Sequence, residues 1–313
     1  MKKLIFSEPA SKDYFKKELK MNVVSVSVTH DCNYFCHYCY DYGFRKQFKG
    51  KFIDLNGFKV FLENFKKFTD NQDVQFTLMG GEPTLHPNFI ELLNILDSFE
   101  MVKIIKIVTN ASFNAEFIDK IESDKVEFNV SYHHGNNLGL AHYTDLFEYI
   151  KSKNKPIKCR YMLDNKESLS EQIQQKEILN NLVETKFDSL FGVTYSEEFL
   201  TYLKSYSEEN NEFLRLYYDD GSEELINYSD VKNGTNPYKG MYCGALFSKF
   251  ALNVNFHMQI LCRKDTNINA LNYSEFRKLK KQLYLNKCNL DRCVFYMFFK
   301  KSINQIKELW CKI

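Results

Sequence analysis

Residues 23–39 read VVSVSVTHDCNYFCHYC, and residues 74–87 read VQFTLMGGEPTLHP. Each segment begins with a short β-type run and ends in a polar loop. In the first run Val24, Val26 and Val28 alternate with serine and threonine, which is the pattern of a strand with one buried face. Both segments therefore predict a strand that leads directly into a loop rich in chemically active side chains.

The same unit repeats along the first two thirds of the chain. Short β-type runs alternate with segments whose apolar residues have helical spacing, which predicts parallel strands joined by right-handed crossovers. The units are too few for a closed eight-unit barrel, so we predict an α/β fold built as a partial, TIM-like (β/α)6 barrel. The predicted strands are 23–29, 74–79, 102–109, 126–132, 157–163 and 188–195, and the predicted helices are 55–68, 88–99, 143–151 and 168–182.

The strands carry polar residues on one face. A strand that is buried on both faces reads as a continuous apolar run, but in 126–132 and 157–163 apolar and polar side chains alternate. If the sheet curls, the polar face lines its interior. The pattern therefore predicts an interior that holds a polar ligand.

After about residue 195 the alternation of strands and helices stops. Runs at 214–218 and 224–227 flank Asp220-Gly221, a strong hairpin-turn signal. A second hairpin is predicted from 250–254 and 259–262, and a helix from 300–312. We therefore predict three regions, which are an N-terminal extension at 1–22, the barrel at 23–195, and a small C-terminal hairpin-rich cysteine domain at 196–313.

Composition excludes several function classes. The 313 residues carry 42 basic and 40 acidic side chains with a formal net charge of +2, so a nucleic-acid-binding surface is not expected. The sequence has neither a signal peptide nor an apolar run long enough to cross a membrane, and we expect a cytoplasmic protein. In that reducing compartment the nine cysteines indicate metal or cluster binding rather than disulfides.

Three of the cysteines lie together after the first strand, with the spacing C-x3-C-x2-C. Cys32, Cys36 and Cys39 could hold three irons of a cubane cluster and leave the fourth iron open to a small chelating molecule. A zinc site of three cysteines and one histidine, either His37 or His30, is the alternative.

The second strand runs into Gly80-Gly81-Glu82-Pro83. Two glycines let the backbone approach a ligand closely, and a carboxylate there could accept hydrogen bonds from an ammonium group. An ordinary turn is the alternative. In parallel βα folds, however, ligand sites form at the carboxyl ends of the strands, where this loop and the cysteine loop are expected to meet.

Over residues 22–195 these motifs resemble the radical S-adenosylmethionine (SAM) superfamily. The resemblance implies a [4Fe–4S] cluster on the three cysteines, with SAM bound at the open iron. It also implies that Glu82 and the backbone of Gly80 and Gly81 receive the methionyl amine of SAM. Further implied contacts with SAM are Tyr38 near the adenine, and Asn110, Ser131 and Arg160 on the following strands.

These polar positions have a plainer alternative, because any of Asn110, Ser131 and Arg160 could simply line a solvated cavity. Asn110 is followed by Ala111, where the family usually has glycine. The chemistry that the resemblance implies begins with a one-electron donor such as flavodoxin or ferredoxin. The electron cleaves SAM, and the 5′-deoxyadenosyl radical removes hydrogen from an unactivated C–H bond of the substrate.

A second group of cysteines lies near the end of the chain. Four thiolates can fully ligate a cubane, and the group resembles the auxiliary-cluster domains of radical SAM proteins, of the SPASM or shorter twitch type. A structural zinc site of four cysteines is the alternative. The group consists of Cys243, Cys262, Cys288 and Cys293.

Four other residues are interpreted apart from these motifs. Cys159 is in the apolar register of its strand and is predicted to pack in the core, and Cys311 to pack in the last helix. Of the pair His133-His134, in which His133 shares the polar register of Ser131, one is a candidate for substrate contact, and a hydrogen-bonded structural histidine is the alternative.

The auxiliary cluster favours a peptide substrate, since peptide-modifying members often carry one. Only about 22 residues precede the first strand, which argues against a fused leader-peptide recognition domain. The alternatives are the same radical chemistry on a sugar, nucleotide-sugar or other small metabolite, and a non-catalytic iron–sulfur or zinc protein.

Overall fold

The structure is a computed structural model. It describes residues 4–9, 22–39, 41–135, 138–190, 193–210, 213–218, 220–227, 249–259 and 267–275. These residues fall into two compact units, which are treated separately below. In chain order the strands are β1 Leu4–Pro9, β2 Asn22–Thr29, β3 Val74–Gly80, β4 Val102–Thr109, β5 Val126–His133, β6 Ile157–Leu163, β7 Thr185–Ser189, β8 Phe213–Tyr218, β9 Glu223–Asn227, β10 Lys249–Leu252, β11 His257–Gln259 and β12 Asn267–Asn269.

Seven α-helices lie among the described residues. A short 3-10 turn, Pro83–Leu85, follows β3. No helix in the described ranges has both the length and the apolar character needed to cross a membrane. The helices are α1 Tyr42–Gln47, α2 Leu55–Phe68, α3 Phe89–Asp97, α4 Ala115–Asp119, α5 Gly139–Ser152, α6 Leu169–Asn180 and α7 Glu197–Glu209.

The larger unit contains the predicted partial barrel. Strands β2 to β7 are adjacent in chain order and each pairs in parallel with the next. Their pairing confirms the six-unit α/β reading of the sequence. The first five strands also agree with their predicted bounds to within one residue.

The sixth strand was placed wrongly. It was predicted at 188–195, whereas β7 spans Thr185–Ser189 and pairs with β6 from Cys159↔Thr185 to Leu163↔Ser189. Its buried register consists of Thr185, Phe187 and Ser189, so a single large apolar side chain carries the strand signal. Val193 and Thr194, which favour strand by composition, lie outside any strand.

The sheet extends beyond β2 on its other edge. β10 pairs in parallel with β2, and β11 and β12 continue as an antiparallel meander. The predicted hairpin near 250–262 therefore forms, but it belongs to the barrel sheet. Consequently the region predicted as one domain at 196–313 is divided, since the described residues 249–275 group with the barrel.

The smaller unit contains α7 and a three-stranded antiparallel sheet of order β1-β8-β9. The hairpin around Asp220-Gly221 is confirmed by the pairing of β8 with β9 from Phe213↔Asn227 to Tyr217↔Glu223. β1 was missed by the sequence reading, which treated residues 1–22 as an extension. Its partner is β8, about two hundred positions away in the sequence, a pairing that local periodicity cannot reveal.

The barrel core is aromatic on one side of β3. Helix α2 begins at the N-cap Asp54, whose carboxylate accepts from Gly57 N at 2.6 Å. The helix buries Phe58, Phe61 and Phe65 against Phe76 of β3. Each buried phenylalanine contributes on the order of 2 kcal/mol, so this helix fixes the position of β3 and of the loop that follows it.

The alternation that predicted a polar interior is present in the structure. In β5 the residues at alternate positions from Val126 to Tyr132 are buried, while the intervening ones from Glu127 to His133 are half-buried. The polar register of the strands therefore lines a partly accessible face, and the apolar register packs in the core.

Candidate active site at the carboxyl ends of the parallel strands

The cysteine loop, residues 30–39, follows β2 and is held by one arginine. Arg45 of α1 donates to Cys32 O and Tyr34 O, both at 2.8 Å. Cys39 N donates to Cys36 O at 3.1 Å. These bonds fix the backbone conformation of the loop, and its three cysteines are half-buried.

The root of the loop, by which we mean His30 and Asp31 directly after β2, is also fixed. His30 is buried, donates from Nδ1 to Asp41 Oδ2 at 2.8 Å, and stacks on Phe44 and Phe48. The carboxylate of Asp31 accepts from Gly50 N at 3.0 and 3.1 Å. These contacts tie the start of the segment between β2 and α2 to residues 41–50 of the same segment.

The glycine pair approaches the backbone of the cysteine loop and its root. Gly81 N donates to Thr29 O at 3.0 Å, and Glu82 N donates to Asp31 O at 2.7 Å. A Cβ on Gly80, whose φ is +142°, would lie 1.9 Å from Thr29 O, and one on Gly81 would lie 2.2 Å from Asp31 O. Glycine is therefore required here so that two backbones can touch.

Glu82 is fully buried and well supplied with donors. Its Oε1 accepts from Thr84 N at 3.2 Å and from the hydroxyls of Thr84 and Thr109, both at 2.7 Å. Its Oε2 accepts from Asn110 N at 2.7 Å. Burial raises the pKa of this carboxyl, and the same hydrogen bonds oppose the rise. Glu82 thus ties the loop after β3 to the end of β4, and Oε2 keeps capacity for one more donor.

The three thiols lie within electrostatic reach of one another. Burial raises the pKa of Cys36 to about 11, and the charges of Cys32 and Cys39 contribute to that rise. Burial also raises the pKa of Cys32, and the Glu82 carboxylate adds to the effect. Ligation of a metal or cluster requires these thiols as thiolates, and a bound cationic centre would offset the burial and the mutual repulsion that oppose their ionisation.

The two histidines of the zinc alternative are engaged elsewhere. His37 donates from Nε2 to both oxygens of Asp164, at 3.0 and 2.9 Å, and His30 is paired with Asp41. Among the described residues no three His, Cys, Asp or Glu side chains converge as single-ion ligands. The pairings of His37 and His30 with carboxylates weigh against a Cys3His zinc site that uses either histidine.

Tyr38 and His133 pack together beside Cys36. The Tyr38 hydroxyl is hydrogen-bonded to His133 Nδ1 at 2.8 Å, and the two rings are stacked with centroids 5.9 Å apart. The same nitrogen lies 3.6 Å from Cys36 Sγ. Burial lowers the pKa of His133 to about 4, so the ring is neutral at pH 7. The candidate substrate-contact residue therefore lies against the cysteine loop itself.

Asn110 also contacts the cysteine loop. Its Nδ2 donates to Asn33 Oδ1 at 2.9 Å and lies 3.9 Å from Cys32 Sγ. The backbone that follows is held from α5, because Tyr143 donates to Asn110 O at 3.0 Å and His142 Nε2 to Ala111 O at 2.8 Å. Ala111 takes a φ of +55°, the left-handed conformation for which the family's usual glycine is suited.

Ser131 and Arg160 are direct neighbours in the β5–β6 register and are both half-buried. The structure places them on the polar register of the barrel, beside His133 on β5. Their predicted contacts with SAM, like those of Tyr38 and Asn110, stay predictions.

The second cysteine group lies outside the described residues. Its members are Cys243, Cys262, Cys288 and Cys293. Cys311 and the predicted helix at 300–312 also lie outside them. Cys159, in contrast, is 1% exposed, which confirms its predicted place in the core.

Sequence reasoning missed Arg45 and Asp164. Arg45 gave no signal, because an arginine in a short basic helix has many possible uses. Asp164 directly follows β6, and the rule that sites gather at carboxyl ends of strands could have identified it as a partner for the loop.

Part of the chain matches a known family and known enzymes. Residues 26–170 match the model of the radical SAM superfamily. GTP 3′,8-cyclase of Shewanella denitrificans is 29% identical over 91 residues, which are 29% of this chain and 26% of that protein. The same enzyme of Haemophilus ducreyi is 31% identical over 86 residues, which are 27% and 24% of the two chains. The chain thus spans about a quarter of the length of these curated relatives.

Two solved structures resemble the fold. Streptococcus suis SuiB bound to precursor peptide SuiA has a TM-score of 0.56 at 15% identity, covering 80% of this chain and 63% of that chain. Native anSMEcpe with bound AdoMet has a TM-score of 0.56 at 12% identity, covering 81% and 79%. At such identities the likeness shows the fold. Residues 26–170 are a radical SAM domain by the family match alone, and the members of that enzyme superfamily use SAM and a [4Fe–4S] cluster.

Proposed function

We propose that this chain binds a [4Fe–4S] cluster at Cys32, Cys36 and Cys39, cleaves SAM there, and modifies a peptide. One observation carries the proposal. Glu82 N donates to Asp31 O at 2.7 Å, and its buried carboxylate accepts from Asn110 N at 2.7 Å. Asn110 Nδ2 in turn lies 3.9 Å from Cys32 Sγ. A carboxylate and three thiolates thus share one rim of the barrel, as the binding of a cluster and an amino acid requires.

When bound, the cluster and SAM supply a reducing electron and a 5′-deoxyadenosyl radical that removes a substrate hydrogen. The residues of this chain position the two groups. Arg45 and Asn110 fix the loop that carries Cys32, and Glu82 Oε2, which accepts from Asn110 N, would accept a second hydrogen bond from the SAM ammonium. Tyr38, stacked on His133, offers a flat surface for the adenine.

The choice of a peptide substrate rests on two supports. SuiB, which shares the fold, is bound to precursor peptide SuiA. In the smaller unit the described part of β9 pairs with β8 alone, and an extended peptide binds well by adding a strand to such an edge. The matches to GTP 3′,8-cyclase favour a nucleotide as the second candidate.

The cleavage proposal is tested by single cysteine variants. With dithionite as reductant, Cys32→Ala should lower 5′-deoxyadenosine formation by about a hundredfold or more, since losing a ligand removes the cluster that delivers the electron. Cys159→Ala, which removes a buried thiol outside the site, should leave the rate of 5′-deoxyadenosine formation within about twofold of the wild-type rate. Undiminished cleavage in the Cys32 variant would contradict the assignment.

The substrate class is tested by isotope transfer. A deuterated candidate peptide should yield 5′-deoxyadenosine that carries deuterium, and deuterated GTP should not. Deuterium transfer from GTP and none from the peptide would instead favour a nucleotide substrate.

We also propose that Cys243, Cys262, Cys288 and Cys293 bind an auxiliary [4Fe–4S] cluster. A variant in which Cys32, Cys36 and Cys39 are all replaced by alanine should then retain about four irons with matching sulfide. Zinc without iron would make the second group a structural site of four cysteines.

A further inference from the structure

A basic aromatic face lies beside the cysteine loop. Its aromatic members are unusually exposed, at 86% for Phe35, 57% for Tyr42 and 47% for Phe44. Its basic members are Arg45, Lys46, Lys49 and Lys51, and all three lysines are exposed. Together these seven residues form what we call the loop face.

The positive charge of the loop face is only partly balanced locally, by the Asp31 carboxylate that accepts from Gly50 N at 3.0 Å. Residues 42–53 contain four cations and no carboxylate. The ion pairs of lysines in the described ranges lie elsewhere, as between Lys125 and Asp97 and between Lys153 and Asp119. The chain's net charge is only +2, so the charge of this segment is a local feature and not a property of the whole surface.

The cations of the loop face lie over aromatic rings. Arg45 lies over the ring of Phe35 at 5.1 Å. Lys46 lies over Tyr42 at 5.1 Å, and Lys51 over Phe48 at 5.5 Å. Such contacts leave the positive charge exposed at the surface while they order the side chains that carry it.

The loop face is directly connected to the cysteine loop, both through the chain and through hydrogen bonds. Phe35 lies between Cys32 and Cys36 in the chain, and Arg45 donates to Cys32 O and Tyr34 O at 2.8 Å. A protein bound to this face would therefore contact the same segment that carries the cluster ligands.

We propose that the loop face is the docking site of an acidic one-electron carrier protein, an inference that rests on the proposed function. One electron would leave the reduced carrier, which is oxidised, and enter the cysteine-bound cluster, with no bond made or broken. An aromatic centre with a charged rim has the anatomy of a transient protein interface. Its positive charge would steer an acidic partner and reject a basic one.

A carrier fits this face better than the substrate does. The substrate must reach the polar register inside the barrel, on β5 and β6, whereas the loop face is formed by α1, the residues that follow it and Phe35 of the cysteine loop. A carrier needs only proximity to the cluster. An acidic peptide is the competing occupant, and the experiment separates the two.

The experiment compares two triple charge reversals in the full-length protein. K46E/K49E/K51E reverses the lysine charges of the loop face. The control variant, K66E/K67E/K120E, makes the same change in charge at three exposed lysines near the ends of α2 and α4. These helix ends lead to the amino ends of β3 and β5, so the control lysines lie at the rim of the barrel opposite the loop face. Each protein is assayed for 5′-deoxyadenosine with dithionite and with reduced acidic flavodoxin, and for flavodoxin binding by anaerobic calorimetry.

We expect the loop-face variant to lose about tenfold or more in flavodoxin-driven rate and in flavodoxin affinity at low salt, while its dithionite-driven rate stays within about twofold. The loss should shrink at about 0.5 M salt, since screening weakens exposed charges. Phe35→Ala should weaken binding several-fold with little change in the salt dependence.

Equal losses in both triple variants, or unchanged flavodoxin binding by the loop-face variant, would overturn the inference. So would a loop-face variant that loses affinity for an acidic substrate peptide but not for flavodoxin. Absence of dithionite-driven cleavage in the wild-type protein would instead overturn the proposed function, and calorimetry would still decide on docking.

Discussion

The two sides of the barrel rim hold the cysteine loop in different ways. On the side of β3 and β4 the contacts are made largely by the main chain, through Gly81 N to Thr29 O and Glu82 N to Asp31 O. On the side of β5 and β6 they are made by side chains, through His133 to Tyr38 and Asp164 to His37. One side therefore fixes the root of the loop, and the other fixes its far end.

This difference determines which amino-acid substitutions each side of the rim can tolerate. A main-chain contact with no room for a Cβ accepts only glycine, and therefore leaves a readable motif. A side-chain contact can be replaced by another pair of similar reach. The first side is thus the part of the rim that tolerates the least change in sequence, and the second can vary more.

The largest effect is expected from Gly81→Ala. The new Cβ would lie 2.2 Å from Asp31 O and 2.6 Å from His30 O, so the loop root must move. We expect the free energy of unfolding to fall by about 3 kcal/mol or more and iron loading to be lost, as measured by denaturant titration and by iron analysis.

Gly43→Ala is the matched control, because a Cβ there meets nothing within 4 Å. It should leave both quantities unchanged or slightly raise stability, since alanine favours helix α1. A well-folded, iron-loaded Gly81→Ala protein would show that the main-chain contact is dispensable.

A smaller effect is expected on the side-chain side. His37 is 36% exposed in its side chain while Asp164 is 7% exposed, so solvent screens much of their interaction. A double-mutant cycle with His37→Ala and Asp164→Ala should give a coupling of about 0.5–1 kcal/mol, measured by denaturant titration.

Cluster loading should survive in both single variants of that pair, though with faster loss of iron in air. If either variant lost iron as completely as Gly81→Ala, the two sides of the rim would be equally rigid, and the contrast between them would fail.

The same contrast explains what could be predicted from sequence. The strands β2 to β6 and the motif at Gly80-Gly81-Glu82 were predictable, since alternation and glycine pairs are local signals. The class of chemistry was implied by the resemblance of these motifs to the radical SAM superfamily, and their position at neighbouring strand ends agreed with it.

Contacts between distant side chains were not predictable. Asp164 is 127 positions from His37 and His133 is 95 positions from Tyr38, and nothing local marks either pair. The pairing of β1 with β8 and of β10 with β2 was missed for the same reason, and β7 was misplaced because one phenylalanine is a weak signal.

The smallest effect is expected from Ala111→Gly, which restores the family's usual residue. Ala111 has a φ of +55°, a conformation that costs a residue with a Cβ about 1–2 kcal/mol. Glycine would relieve that cost, but it loses about 0.5–1 kcal/mol in chain entropy, and the buried methyl contributes about 0.8 kcal/mol.

These contributions nearly cancel, so we expect a change of less than about 1 kcal/mol in the free energy of unfolding, with SAM cleavage unchanged. Alanine is tolerated here because His142 and Tyr143 hold the neighbouring carbonyls from α5, and these bonds fix the backbone whichever residue is present. A loss above about 2 kcal/mol would instead show that the methyl packs the site. The departure from the family pattern would then be a compensated change on the β3–β4 side of the rim, where the alanine methyl replaces the family's usual glycine.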